Sequence, residues 1–135
     1  MSWKLHFGHG LLSGALSGLA AVVYKSVYSE AFLVDFSKVM ANGQILFSSM
    51  FGCLLMALGY GLLNRWKPGQ DIWFGALNVI YALLSFLSII GIFSFSLPYE
   101  VESPELFPGM AIPMHFFPLL AFLTLLPFFR FKVQS

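Results

Sequence analysis

Cysteine occurs once, at position 53, in a chain of 135 residues. A single thiol excludes an intrachain disulfide and any redox cycle built on a pair of cysteines. Charge is nearly as scarce: Asp, Glu, Lys and Arg make up 10% of the residues, and the net charge is +1. No basic run follows a phosphate backbone, so nucleic acid is not an expected partner. The six acids, Glu30, Asp35, Asp71, Glu100, Glu102 and Glu105, all fall between the long apolar runs or at their ends. Proton-coupled transport usually needs a carboxylate inside the membrane, and its absence argues against a small four-span drug/proton antiporter. A Gly-x-Ser-x-Gly elbow, paired acids, a His-rich metal pattern and a phosphate-cradling glycine loop are missing too. Gly8-His9-Gly10 is too short for a nucleotide fingerprint. The expectation is a non-enzymatic chain with no cofactor and no metal.

What is abundant is apolar. Hydrophobic residues make up 59% of the chain, and the mean hydropathy is +0.83. A soluble domain of this length could not hide that much apolar surface, so lipid is the expected solvent for part of it. Four stretches, about 7–28, 44–63, 72–97 and 110–129, are each near the ~20 residues that cross hydrocarbon. They leave no room for a second domain, so residues 1–135 form a single one. The fold class is all-α: an integral membrane four-helix bundle of antiparallel up-down topology. Phe32, Leu33, Phe36, Val39 and Met40 approximate helical spacing between Glu30, Asp35 and Lys38. They predict a short interfacial helix between spans one and two, ending at Asn42-Gly43. Span one is read as a retained helix rather than a signal peptide, because four glycines dilute its apolar part and it continues into Tyr24-Lys25.

Charge in the loops sets an orientation. With four spans, the N-terminus, the turn at Arg65 and the C-terminus share one side, which takes Lys4, Arg65, Lys67, Arg130 and Lys132, five of the seven basic residues. The other side takes Glu30, Asp35, Glu100, Glu102 and Glu105. The positive-inside rule then places both termini in the cytoplasm, in a cell membrane of the bacterial inner-membrane kind, with Trp3, Trp66, Trp73, Tyr28 and Tyr99 at the boundaries.

Span one is the organising element. Gly10, Gly14 and Gly18 repeat at four-residue spacing, and Ser13, Ser17 and Ala21 form a second row. At about 100° per residue the six share one face, and Tyr24, Lys25 and Tyr28 continue it. Such a face admits another helix to backbone contact. It serves either packing within the chain or a partner helix, in a homo-oligomer or a larger membrane complex. Asn78 and Ser85 share a face of span three and are read as interhelical hydrogen-bonding groups.

The histidines invite a haem or metal reading that topology opposes. His6 and His9 sit at the cytoplasmic mouth of span one, whereas His115 lies about 8 Å into span four from the other side, at 1.5 Å per residue. His115 is an ionisable group at membrane depth, which marks a candidate site. Pro118 leaves the Met114 carbonyl without its helical donor, and a kink there would open a pocket toward the outer leaflet. Tyr24, Lys25, Tyr28, Ser48, Ser49, Ser94 and Ser96 come to a similar depth. The candidate ligand residues are His115, Tyr24, Lys25, Tyr28, Ser48 and Ser94; the plainer alternative is one neutral imidazole bonded to a serine or a backbone carbonyl.

The glycine-serine first helix (Leu12-Ser13-Gly14-Ala15-Leu16-Ser17-Gly18-Leu19-Ala20), the hairpin with a basic turn, and a last helix opening near Met114-His115 and closing on Arg130 resemble small four-span bacterial membrane proteins grouped as a domain of unknown function. That resemblance implies a fold and no activity. Two functions remain open. One is an accessory or interaction subunit that holds a partner through the Gly10/Gly14/Gly18 face or the aromatic fourth span. The other is a carrier of a small ligand or lipid, with a pocket around His115. Membrane lipids are the expected surroundings of either.

Overall fold

A computed structural model describes residues 2–94, 96–97 and 101–130, with Arg130 as backbone alone. The described residues form four α-helices and no strand: α1 Trp3–Phe32, α2 Asn42–Trp66, α3 Asp71–Ser94 and α4 Phe107–Arg130, the last entered through a 3-10 turn at Pro104–Leu106. All four helices are long and apolar enough to cross a membrane. Tyr99 and Glu100 of the acidic loop and Lys132 of the basic end, named above, lie outside the described residues.

The interfacial helix expected between spans one and two is not there. Leu33 takes the left-handed conformation (φ 55) and ends α1, with its own N–H and that of Val34 bonded back to the Ser29 carbonyl. Residues 33–41 then form turns, and Val34 and Phe36 point inward instead of lying on a surface. Phe36 is fully buried, and its ring meets Phe107 edge-on at 5.5 Å. Tertiary burial of one large aromatic ring outweighs what a single exposed turn of helix would gain. Asn42-Gly43, expected to close a helix, instead opens α2, where the Gln44 side chain accepts the Ala41 N–H at 3.0 Å.

Lys25 holds this connection in place. It is only 8% exposed, and its ammonium donates to the Met40 carbonyl at 2.6 Å and to Asn42 Oδ1 at 3.0 Å. Outside the helices, Asp35 accepts the Ser37 N–H at 2.8 Å, which holds its carboxyl below the usual carboxylate range. Lys25→Ala removes both charge-assisted bonds to the connection, a loss of about 2 kcal/mol. The expected result is faster proteolytic cleavage between residues 33 and 41 with helix content unchanged, as read by limited proteolysis and circular dichroism.

The turn between α2 and α3 follows its residues closely. Pro68 and Gly69 fill its central positions, Gly69 at φ 72, and the Gln70 N–H returns to the Lys67 carbonyl at 3.4 Å. Only glycine takes that backbone without strain. Trp3 packs on Gly61, where a Cβ would stand 2.5 Å from the indole. The end of α1 that bears Lys4 therefore lies beside the end of α2 that bears Arg65.

The small-residue face of α1 is filled from within the chain. A Cβ on Gly10 would meet Ala57, one on Gly14 would stand 2.5 Å from Met50 Cα, and one on Gly18 would meet Leu46. Position numbers fall along α2 as they rise along α1. Ser13, Ser17 and Ala21 are buried in the same seam. The other side of α1 meets α4, where prolines free carbonyls for side chains. Pro113 has no N–H for Gly109, and the Tyr24 hydroxyl donates to that carbonyl at 3.0 Å. The Tyr28 hydroxyl donates to the Leu106 carbonyl at 2.8 Å, just before α4. α3 is the least enclosed helix, with Phe74 and Ile92 its only buried residues.

Candidate functional site

The side-chain hydrogen bonds that join α3 to α2 lie in its first half. Tyr60 of α2 hydrogen-bonds Asn78, and the Tyr81 hydroxyl donates to the Met56 carbonyl at 2.9 Å. Gly59 leaves the space that the Tyr81 hydroxyl occupies. Further along, α3 touches α4 through Phe86 and Phe116, whose rings are 5.1 Å apart. Toward α2 the side chains become small: Ser48 and Gly52 on one wall, Ser85 and Ser88 on the other. Small groups on facing walls leave the space between α2, α3 and α4 unfilled, a cleft of about 790 Å³.

Each wall is one helix face. Gln44, Ile45, Phe47, Ser48, Ser49, Gly52, Leu55 and Met56 come from α2; Tyr81, Leu84, Ser85 and Ser88 come from α3; Met114, His115, Pro118 and Leu119 come from α4. Val39 and Met40 of the turned connection and Ala21 of α1 complete the lining. Phe47, Leu55 and Leu84 on its margins are more than half exposed, so the cleft opens sideways between α2 and α3. Its described lining carries no Asp, Glu, Lys or Arg. Its volume is that of a small-molecule site, mostly apolar with a few polar groups.

His115 lies on the wall, half-buried, and its Nδ1 is 2.8 Å from the Ala111 carbonyl. A carbonyl only accepts, so Nδ1 carries the proton, and in the neutral ring Nε2 is left as an acceptor. Ser48 also lines the cleft. The other four candidate ligand residues do not. Tyr24 and Tyr28 donate to carbonyls of the chain around the start of α4, Lys25 is bound to the connection, and Ser94 is exposed on α3 and bonded to the Ile90 carbonyl at 3.1 Å. Of the packing residues, Asn78 joins α3 to α2, whereas Ser85 bonds the Tyr81 carbonyl of its own helix and faces the cleft. Ser49, Gln44, Tyr81 and Ser88 complete the polar wall, and Gln44, Tyr81 and Ser88 had no sequence signal of their own. The signal that could have found them is spacing: Ser48 with Gly52, and Ser85 with Ser88, put two small-residue faces on adjacent helices.

The other histidines lie elsewhere. His9 is fully buried, with Nε2 2.8 Å from the Phe122 carbonyl and its ring tilted against Phe122 and Phe129. His6 is buried one turn earlier, and neither of its nitrogens has a hydrogen-bond partner. Among the described residues, no three His, Cys, Asp or Glu side chains gather as a metal site would require. Cys53 is buried between Ser17 and the Pro118 carbonyl.

Compared with family models, with curated proteins and with solved structures, the chain finds no match in any of the three.

Proposed function

We propose that this chain is an integral membrane protein, an antiparallel up-down bundle with both termini in the cytoplasm, that binds a lipid or small amphiphile in the cleft between α2, α3 and α4. The observation that carries this reading is the lateral opening: an uncharged, largely apolar space of about 790 Å³ whose mouth lies between two helices, on the side where acyl chains would be. A ligand arriving from the bilayer enters there without crossing water. Under the positive-inside assignment the cleft belongs to the outer half of the membrane.

An accessory role is supported less well. α2 occupies the Gly10/Gly14/Gly18 face of α1, so that face holds no second protein unless α2 leaves it. A partner helix would fall instead to α3, where Ile80, Leu83, Leu87 and Ile90 are all exposed.

Gly52 provides the test. A Cβ there meets nothing within 4 Å, so Gly52→Phe fills the cleft without forcing helices apart. The chain in lipid nanodiscs, irradiated with a photoactivatable long-chain lipid, is expected to be labelled on residues 44–56 and 81–88. Gly52→Phe should reduce that labelling about tenfold, the equivalent of ~1.4 kcal/mol of lost burial. Labelling spread evenly over all lipid-facing residues, and unchanged by Gly52→Phe, would show that no cleft site exists.

A further inference from the structure

The polar groups on the cleft wall differ in what they have left to offer. The Ser48 hydroxyl donates to the Ile45 carbonyl at 3.1 Å, Ser85 to Tyr81 at 3.1 Å, and Ser88 to Leu84 at 2.9 Å. Tyr81 gives its proton to Met56, and His115 gives its Nδ1 proton to Ala111. All five protons are thus committed to backbone carbonyls. What these groups turn to the cleft are lone pairs: hydroxyl oxygens and, in the neutral ring, the bare Nε2 of His115.

Two members of the lining keep a donor. Gln44 keeps its amide N–H groups, because its Oε1 holds the Ala41 N–H, but it is an exposed residue. Ser49 is the inner one. It is 5% exposed and lines the cleft, and among the described residues its hydroxyl meets no hydrogen-bond partner. That hydroxyl is open to the cleft, so its proton is available to a ligand placed there. The inner cleft therefore offers one free O–H, from Ser49, and one strong acceptor, the His115 nitrogen.

Resting on the reading of the cleft as a lipid site, we infer that its ligand is an uncharged long-chain alcohol. The ligand's hydroxyl donates to His115 Nε2 and accepts from the Ser49 hydroxyl, while its hydrocarbon chain lies along Leu55, Met56 and Leu84 and leaves through the opening between α2 and α3. Other head groups fit worse for stated reasons. A quinone, ketone or ester has acceptors only and sets a lone pair against the lone pair of Nε2. A carboxylate or phosphate finds no cation on the wall, and an ammonium group finds no acid, so either would be desolvated without compensation. A free hydroxyl is the neutral group that both gives and takes one hydrogen bond at a single atom.

The experiment compares molecules that differ only at the head group. The full-length chain in nanodiscs is labelled with a diazirine analogue of 1-hexadecanol, and the label is competed with 1-hexadecanol, hexadecyl methyl ether or palmitate. In the native protein the alcohol is expected to compete about tenfold better than the ether, the worth of one buried hydrogen bond in a site that excludes water. His115→Phe, which keeps a ring and removes the acceptor, should bring the two within about twofold of each other. Ser49→Ala should weaken the alcohol and the ether alike, about fivefold, because both carry the oxygen that accepts the Ser49 proton. The comparison in the native protein needs no variant, so a variant that fails to fold does not blunt it. Equal competition by alcohol and ether overturns the alcohol inference and leaves the cleft standing, as does stronger competition by palmitate. Failure of every compound to reduce labelling of residues 44–56 overturns both.

Discussion

Gly14→Leu is expected to drive α1 away from α2 and to lower the unfolding midpoint in detergent more than any other single glycine substitution in the chain. Even an alanine Cβ at that position would stand 2.5 Å from Met50 Cα, which is backbone and cannot rotate aside. Overpacking a well-filled interior commonly costs 1–3 kcal/mol, and with a rigid neighbour and three further carbons to place the cost here is about 3 kcal/mol or more. The graded series is as informative as the extreme. Gly10→Ala meets the Ala57 Cβ at 2.8 Å and the Cys53 carbonyl at 3.1 Å, whereas Gly18→Ala first meets the flexible end of Leu46 at 3.0 Å. The expected order of damage is Gly14, then Gly10, then Gly18. Gly75→Ala supplies the contrast, because its Cβ meets nothing within 4 Å and alanine is the better helix former by about 0.5–1 kcal/mol. Thermal unfolding followed by circular dichroism reads all four. A Gly14→Leu protein as stable as the native one would mean that the two helices do not approach as closely as described.

The same glycine row shows how far the sequence carried. Four-residue spacing of Gly10, Gly14 and Gly18 announced a face built for close approach, and the length of each apolar run announced a helix. Neither could say which helix would arrive, since α2 has small residues of its own and so has α3. The connection at 33–41 shows a second limit. Phe32, Leu33, Phe36, Val39 and Met40 have helical spacing, but over so few residues that pattern does not separate an apolar stripe on a surface from side chains folded inward. The left-handed Leu33 and the buried ring of Phe36 decide it, and the second depends on Phe107, far along the chain. His115 and Ser48 were legible because polar groups are conspicuous in an apolar run. Tyr24, Lys25 and Tyr28 were conspicuous for the same reason, but their hydrogen bonds go to the chain itself. Pro113 was the clue for one of them: it guarantees that the Gly109 carbonyl needs a donor from elsewhere, and Tyr24 is that donor. The cleft was not legible as a whole, because it exists where α2 and α3 fail to meet, and that gap belongs to neither helix alone.

His9→Ala is the other substitution expected to do great harm, and the way it does so can be separated into parts. His9 donates from Nε2 to the Phe122 carbonyl, 113 residues away, and its ring lies 4.1 Å from Phe122 and 4.8 Å from Phe129. Alanine removes the bond and the ring together. Interhelical hydrogen bonds within membranes average only about 0.6 kcal/mol, whereas truncating a buried ring to alanine costs about 3–5 kcal/mol. The ring is therefore the larger part. His9 Nδ1 is buried with no partner, so the imidazole also carries an unmet polar atom that phenylalanine would not. His9→Phe gives up the bond, keeps the stack and removes that orphan, and these changes nearly cancel. It is expected to unfold within about 1 kcal/mol of the native protein, and His9→Ala about 3 kcal/mol below it. Equal damage from both variants would sink this account, because it would mean that the polar contact rather than the aromatic stack fastens α1 to α4.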